Sequence, residues 1–384
     1  MIAAEAVGRT IIALAGGLVL DAIIGDPAVR WHPVRLLGRL AAITETTSRR
    51  LFRCPAPAVS SVPAAPKEVQ APLSANPAPA PAAGSVHAAL PRPSVARSRL
   101  AGAAAWLFVT GTAAGSAWAV CAAMRAIHPL PGTAADILVV WASIAPADLA
   151  AHAARVRRAL ARDAAAKTAA AATDAPSAEA GPQRGRAAVS MLVGRDASEL
   201  DASGVARACV ESVAESSVDG AAAPLFWAAL LGPWAAFAYR AVNTMDSMFG
   251  HKDERYLHFG LVPARADDAA NWLPARVSSL LACAAAPLVG GNARDAFRSF
   301  FRWRLAHESP NAGHPESAYS GALGIRLGGP SRYAEGIIDK PWINPAGAEA
   351  VPGDISRAAR LMYIQTILSA AAFAALAAFV RMGP

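Results

Sequence analysis

Residues 101 to 124 contain no charged side chain, and their only polar breaks are Thr and Ser. A run of that length and character suits a helix through a lipid bilayer. About 20 apolar residues cross the hydrocarbon, and a helix satisfies its backbone N–H and C=O groups internally, where no water can. The stretches 10–24 and 133–151 are comparably apolar apart from Asp21, Asp136 and Asp148 towards their ends, and 361–380 carries no charge. Two others do not fit a simple crossing: 221–242 is interrupted by Gly232-Pro233, and 277–290 is short and carries Pro287. Composition agrees, with 54% hydrophobic and 17% charged residues against about 25% charged in soluble domains. The expected fold is all-α: a polytopic integral membrane helix bundle with re-entrant or broken helices.

Arginine placement orients the bundle. Arg155, Arg157, Arg158, Arg162, Lys167, Arg184 and Arg186 follow one apolar stretch, and the segment 30–99 between two others is basic. Basic loops stay on the cytoplasmic side, which puts the turn at 125–132 outside. The net charge of +8 is explained by this pattern and does not call for nucleic acid, since the arginines are not interleaved with aromatics on a polar face. Residues 10–24 lack a small-residue cleavage site and read as a retained helix. Cys54, Cys121, Cys209 and Cys283 show no CxxC spacing and are expected to be reduced and structural.

Three parts follow along the chain. Residues 1–53 hold a membrane helix and a cytoplasmic motif. Residues 54–98 are rich in Pro, Ala and Ser without periodicity, as a disordered linker is. Residues 99–384 form the polytopic catalytic domain, with a low-complexity loop at 163–186.

Chemistry-bearing residues concentrate between 211 and 276. Glu211 and Glu215 are spaced i, i+4, so a helix presents both carboxylates on one face, where they repel unless a cation or base lies between them. Asn243 and Asp246 form a second pair, and Asp267, Asp268 and Asn271 a third. Hard oxygen ligands suit Mg²⁺, which bridges carboxylates to substrate phosphates. Each pair alone is equally what a helix cap or a surface acid looks like; together they make a stronger case. If they share one site, 221–242 must enter the membrane and return, because a single crossing would separate Glu211, Glu215 and Asp219 from the rest. The hairpin is therefore preferred.

Lys252, Arg265, Arg276 and Arg326 are cations for phosphate or carboxylate, while Gly324 to Gly329 form either an anion-approaching backbone or a tight turn. His32, His314 and Glu316 are further acid–base candidates, and Asp21, Asp26 and Arg35 gather with His32 at a membrane edge. His251 and His258 read as interface residues. There is no GxxxxGK[ST], GxSxG or HExxH pattern.

These motifs in order carry a resemblance. Gly25-Asp26-Pro27 with His32-Pro33-Val34-Arg35, Val193-Gly194-Arg195-Asp196, Glu211-Ser-Val-Ala-Glu215, Asp219-Gly220, Ala223-Pro224-Leu225-Phe226, Asn243-Thr-Met-Asp246-Ser247-Met248, Asp267-Asp268, Asn271, Pro274-Ala-Arg276, Ser309-Pro310-Asn311 and Leu327-Gly328-Gly329-Pro330 together resemble the adenosylcobinamide-phosphate synthase (cobinamide synthase) family. The likeness covers nearly the whole chain apart from 54–98 and about 163–186. Ser216 stands where that family usually has Asn, and Ser317-Ala-Tyr-Ser-Gly321 where it more often has Ala-Ala-Met-Ala-Gly.

The resemblance implies an amide ligase of cobalamin biosynthesis in the cell (inner) membrane, its site facing the cytoplasm. It would join the corrinoid adenosylcobyric acid to (R)-1-amino-2-propanol or its O-phosphate, with ATP and Mg²⁺ as the expected cofactors. Within that expectation Asp246, Asp267, Asp268 and Asn271 hold metal. Arg35, Arg195, Lys252, Arg265, Arg276, Arg326, Gly328 and Gly329 hold substrate or phosphate. Glu211, Glu215, Asp219, Asn243, Asn311, Glu316 and His32 serve catalysis, with Glu211 or Glu215 as the base. A complex with other enzymes of the pathway is a further expectation. The alternatives are a non-catalytic corrinoid-binding or transport protein, since ion-coupled carriers also use broken helices, and a regulatory relative that has kept the fold but not the site.

Overall fold

The computed structural model describes residues 2–27, 31–54, 94–172, 181–333 and 336–383. The linker expected at 54–98 and part of the low-complexity loop lie largely outside these residues. Four long helices set the frame: α1 (Ile2–Ile24), α3 (Val95–Ile127), α4 (Pro129–Ser143) and α13 (Pro352–Met382). All four lie in segments long and apolar enough to cross a membrane. Their ends are tied in two layers. At one end, Arg125 of α3 pairs with Asp136 of α4 at 3.1 Å, and Arg381 of α13 donates to Thr10 Oγ1 of α1 at 2.6 Å. At the other, Asp21 Oδ2 accepts from the N–H of Ala147 at 2.9 Å, and Gly102 lies directly against the carbonyl of Phe259. Residues 102 and 125 of α3 are separated by roughly 35 Å at about 1.5 Å of rise per residue, enough for the hydrocarbon of a bilayer.

Proline sets the boundaries. Pro146 divides the expected span 133–151 into α4 and α5 (Pro146–Ala172), whose Val156 and Leu160 are buried in one core cluster with Val189 and Val205. Cys54, Cys121, Cys209 and Cys283 are buried and free, as their spacing suggested. On α3 the buried positions Ala101, Ala105, Val109, Ala113, Ala117 and Cys121 recur every fourth residue. That stripe of small side chains lets α2 (Pro33–Leu51) and α9 (Pro233–Phe249) approach closely, with Leu37, Ala41, Ala241 and Met245 in the same core cluster.

Segment 221–242 doubles back. Helix α7 (Ala202–Ser217) passes into a π-turn, Val218–Ala222, and then α8 (Ala223–Leu231). Gly232, at φ +106°, and Pro233 reverse the chain into α9. Arg381 donates to the carbonyls of Ala229 and Leu230 at 2.9 and 3.3 Å. These are the carbonyls that the end of α8 leaves unpaired, and in a bilayer they have no water to turn to. The start of α8 and the end of α9 therefore share the inner layer.

Helix α10 (Leu261–Ala285) is long and apolar enough to cross, yet its contacts keep both ends in the inner layer. Gly260, its N-cap, abuts the Phe249 carbonyl, and the 3₁₀ turn that follows it, Ala286–Val289, receives Arg357 Nε at the Val289 carbonyl, 3.1 Å away. Pro274 lies inside this helix and removes the donor that would serve the carbonyl of Ala270; the indole N–H of Trp227 fills that place at 3.2 Å.

Helices α11 (Ala293–Trp303) and α12 (Gly313–Leu323) complete the inner layer beside the short α6 (Gln183–Val189). Every residue of α12 is buried although its sequence is polar. Its hydroxyls are satisfied locally, Tyr319 donating to Gln365 Oε1 at 2.8 Å and Ser320 to the Ile325 carbonyl at 2.6 Å. Between α12 and α13 the chain folds into two small antiparallel pairs. Strand β1 (Leu327–Gly328) pairs with β4 (Trp342–Ile343), and β2 (Ser331–Tyr333) with β3 (Gly336–Ile338).

Candidate active site

Where the hairpin begins and ends, four segments bring their acids to one cavity of about 340 Å³. Glu215 comes from the last turn of α7, Asp219 from the π-turn, Asp246 from the last turn of α9, and Asp267 and Asp268 from α10. Lys252, Asn271, His307 and Asn311 also line it. Asp219 lies in the π-turn four residues after Glu215, so both carboxylates face the same side. Glu215 is surrounded by protein yet retains accessible surface, so it faces the cavity from within.

Amides hold the acids in place. Asn243 Nδ2 and Asn271 Nδ2 donate to the two oxygens of Asp267 at 3.3 and 2.9 Å, and Tyr239 donates to Asn271 Oδ1 at 2.8 Å. Asn271 therefore orients Asp267. Asn311 Nδ2 donates to the Asp268 carbonyl at 2.8 Å and Asn311 Oδ1 accepts from Arg276 Nη1 at 3.3 Å, fixing the loop 309–312 on the rim. Burial raises the pKa of Glu215; the nearby charges of Glu211 and Asp246 add to the rise and Lys340 opposes it. Burial also raises Asp219, assisted by Asp267 and Glu215. Among the described residues none of Glu215, Asp219, Asp246, Asp267 and Asp268 is in an ion pair.

That excess of unpaired hard oxygen donors fits a divalent cation such as Mg²⁺. Among the described residues no three His, Cys, Asp or Glu side chains are grouped closely enough to hold a metal ion by themselves. The acids offer hard oxygens of the type Mg²⁺ takes, not a formed metal site.

Other expected site residues lie outside the cavity. Glu211 is already engaged: Arg195 Nη2 donates to it at 2.6 Å and the N–H of Gly328 at 2.7 Å, while Arg195 also reaches Ser331 Oγ at 2.9 Å. Glu211 and Arg195 clamp the 327–331 segment onto α7. Gly328 and Gly329, at φ +76° and +79°, make a tight turn over Pro341 and Trp342, where any Cβ would collide. Arg326 pairs with Glu349 and stacks over Trp342 at 4.3 Å.

Arg265 and Arg276 do not line the cavity, whereas Lys252 does, paired at its mouth with Glu308 at 3.0 Å. His32 is buried against Trp141 and lies 3.5 Å from Asp26, and Arg35 is exposed on α2; neither lines the cavity. Glu316 is buried 4.0 Å from His307, its pKa raised by burial and by Glu211 and Glu215. His314 is buried against Phe300, with burial and the charges of Arg276 and Arg304 lowering it to about 4.

Sequence reading passed over Lys340 and His307. Lys340 acts electrostatically on Glu215, Glu316 and His307 together. One signal was available, since it is one of four lysines in an arginine-rich chain.

The family model described as CobD/Cbib protein matches residues 73–362. Cobalamin biosynthesis protein CobD of Klebsiella pneumoniae subsp. pneumoniae is 37% identical over 365 residues, covering 95% of this chain and 96% of its own. Cobalamin biosynthesis protein CbiB of Salmonella typhi is 37% identical over 366 residues, 95% of this chain and 97% of its own. Cobalamin biosynthesis protein CobD of Citrobacter koseri is 36% identical over 368 residues, 96% and 97% respectively. No solved structure matches the chain. With a family match over most of its length and relatives alike from end to end, this multi-pass membrane chain belongs to the CobD/Cbib family and to cobalamin biosynthesis.

Proposed function

We propose that the acid-lined cavity is the centre of an ATP-dependent amide ligase, joining the carboxylate of adenosylcobyric acid to the amine of (R)-1-amino-2-propanol or its O-phosphate. The observation that carries this reading is the gathering of five carboxylates without ion-pair partners, among the described residues, around one cavity held in shape by Asn243, Asn271 and Asn311. A carboxylate does not condense with an amine in water. One of its oxygens must first attack a phosphorus of ATP, giving an acyl phosphate and ADP or an acyl adenylate and pyrophosphate. The amine nitrogen then attacks the acyl carbon, the phosphate or AMP leaves, and one proton goes to a base.

Mg²⁺ bound by Asp219, Asp246, Asp267 or Asp268 would neutralise phosphate charge during the first step. Lys252 and Lys340 supply positive charge at the cavity, and Glu215 suits the base, because a carboxylate whose pKa is raised by burial accepts a proton more readily. The corrinoid ring is larger than the cavity, so it rests on the rim and only its reacting side chain enters. The inner layer carries the arginine-rich segments 155–162 and 294–304, which supports a site on the cytoplasmic side of the cell membrane.

The test is a mass-spectrometric assay of the full chain in detergent with Mg²⁺, ATP, adenosylcobyric acid and aminopropanol O-phosphate, or free aminopropanol, each left out in turn. The proposal expects an amide product that needs all components. Corrinoid bound without product under every condition would favour a binding or transport role.

A further inference from the structure

The outer edge of the inner layer carries an apolar patch edged by guanidiniums. On α10, Trp272 and Leu273 are 55% and 39% exposed; beside them on and just after α11, Phe301 and Leu305 are 61% and 73% exposed. Two cations sit among them. Arg276 stacks over Trp272 at 4.2 Å, and Arg304 lies over Phe301 at 5.3 Å. Among the described residues neither guanidinium is in an ion pair. Their protein hydrogen bonds go to oxygens of Trp272, Asn311, Pro310 and Phe301.

Placement says what faces this patch. Both ends of α10 are in the inner layer, and its middle is fastened to the bundle by the bond from Trp227, which packs with the α8 core. The turn carrying Trp272, Leu273 and Arg276 therefore lies in the plane where the crossing helices leave the hydrocarbon. Aromatic side chains with arginines at that depth are the usual equipment of an interfacial helix, apolar groups in the acyl region and cations at the headgroups.

We propose that this patch binds acidic phospholipid of the surrounding bilayer, with Arg276 and Arg304 holding the headgroup phosphate and Trp272, Leu273, Phe301 and Leu305 lying against the acyl chains. Arg276 is bonded to Asn311 as well, so the lipid site and the rim of the cavity share a residue.

Native mass spectrometry of the full chain in detergent, titrated with phosphatidylglycerol or phosphatidylcholine of equal chain length, tests this. Phosphatidylglycerol is expected to be retained at least about tenfold more tightly, two arginines each contributing about fivefold at an anionic surface. Arg304→Gln is expected to weaken phosphatidylglycerol by about fivefold, Arg304→Lys to retain most of the binding, and Phe301→Ser to weaken both lipids. Equal retention of the two lipids, or an Arg304→Gln protein indistinguishable from the parent, would overturn the proposal. Displacement of phosphatidylglycerol by an equal concentration of inorganic phosphate would overturn it too, as would an Arg304→Gln change that shifts only the oligomeric mass. Arg304 is partly exposed and its guanidinium donates to the Phe301 carbonyl of its own helix, and the Lys variant distinguishes a lost contact from a lost fold.

Discussion

Glu45 and Asp219 are both enclosed acids, and the protein treats them in opposite ways. Glu45, on α2, is 5% exposed and receives two guanidiniums: Arg49 Nε at 2.8 Å, one helical turn on, and Arg255 Nη2 at 3.1 Å. Arg49 also lies 4.2 Å over the Phe259 ring, so this pair fastens the 250–260 segment to α2 and α3. Asp219 is in no ion pair among the described residues, and its nearest charges include Asp267, Glu215 and Asp246. A buried charge is tolerated when it is paired and hydrogen-bonded. Where a protein gathers several such charges and leaves them unpaired, it accepts a cost in stability that folding does not require, and a bound cation or a proton transfer gives that cost a purpose. Glu211, clamped by Arg195 and Gly328, belongs with Glu45.

The contrast is broken or sharpened by substitution. The largest effect is expected at Asp219→Asn, with turnover in the omission assay falling by about a thousandfold or more while the thermal midpoint holds or rises, since a charge disfavoured by burial and by its neighbours has been removed. A protein that keeps its turnover would place Asp219 outside the chemistry. Glu45→Ala should do the reverse. It leaves two guanidiniums without their carboxylate, at a cost of about 3–5 kcal/mol, read as a lowered thermal midpoint with turnover per folded molecule retained.

His314 gives the next effect. Its folded pKa of about 4 lies below the ordinary value of 6.5, so between those values the unfolded chain binds more protons and stability falls as pH falls from 6.5 to 4. His314→Asn should flatten that limb, by at most about 3 kcal/mol, in denaturant titrations run across the window; an unchanged acid limb would mean that another group sets it. Glu211→Gln should be the mildest, costing about 2 kcal/mol and raising the substrate KM more than it lowers kcat. A loss of kcat equal to that of Asp219→Asn would move Glu211 from clamp to base.

Much of this was legible in the chain. Apolar run length located the crossings, Gly232-Pro233 marked the hairpin, and the three oxygen clusters named four of the five acids that line the cavity, Asp219 lying outside them. Partnership was not legible. Glu211 and Glu215 are written as an i, i+4 pair, but the first is claimed by Arg195, 16 residues earlier, and Gly328, 117 later, while the second faces the cavity. Arg276 reads as a phosphate clamp until Asn311 is seen to accept from it. The ambiguity at 277–290 was of the same kind, because hydropathy measures what a helix could enter and says nothing of where its ends are fastened. Lys340 was hidden by distance in sequence alone.

Manganese binding, followed by electron paramagnetic resonance on the full chain in detergent, tests the central claim that the unpaired acids form an open cation site. The account predicts weak binding by the protein alone, tightened at least about tenfold by ATP, and lost in Asp219→Asn but kept in Glu45→Gln. Equal binding by Asp219→Asn and the parent, with and without ATP, would contradict it.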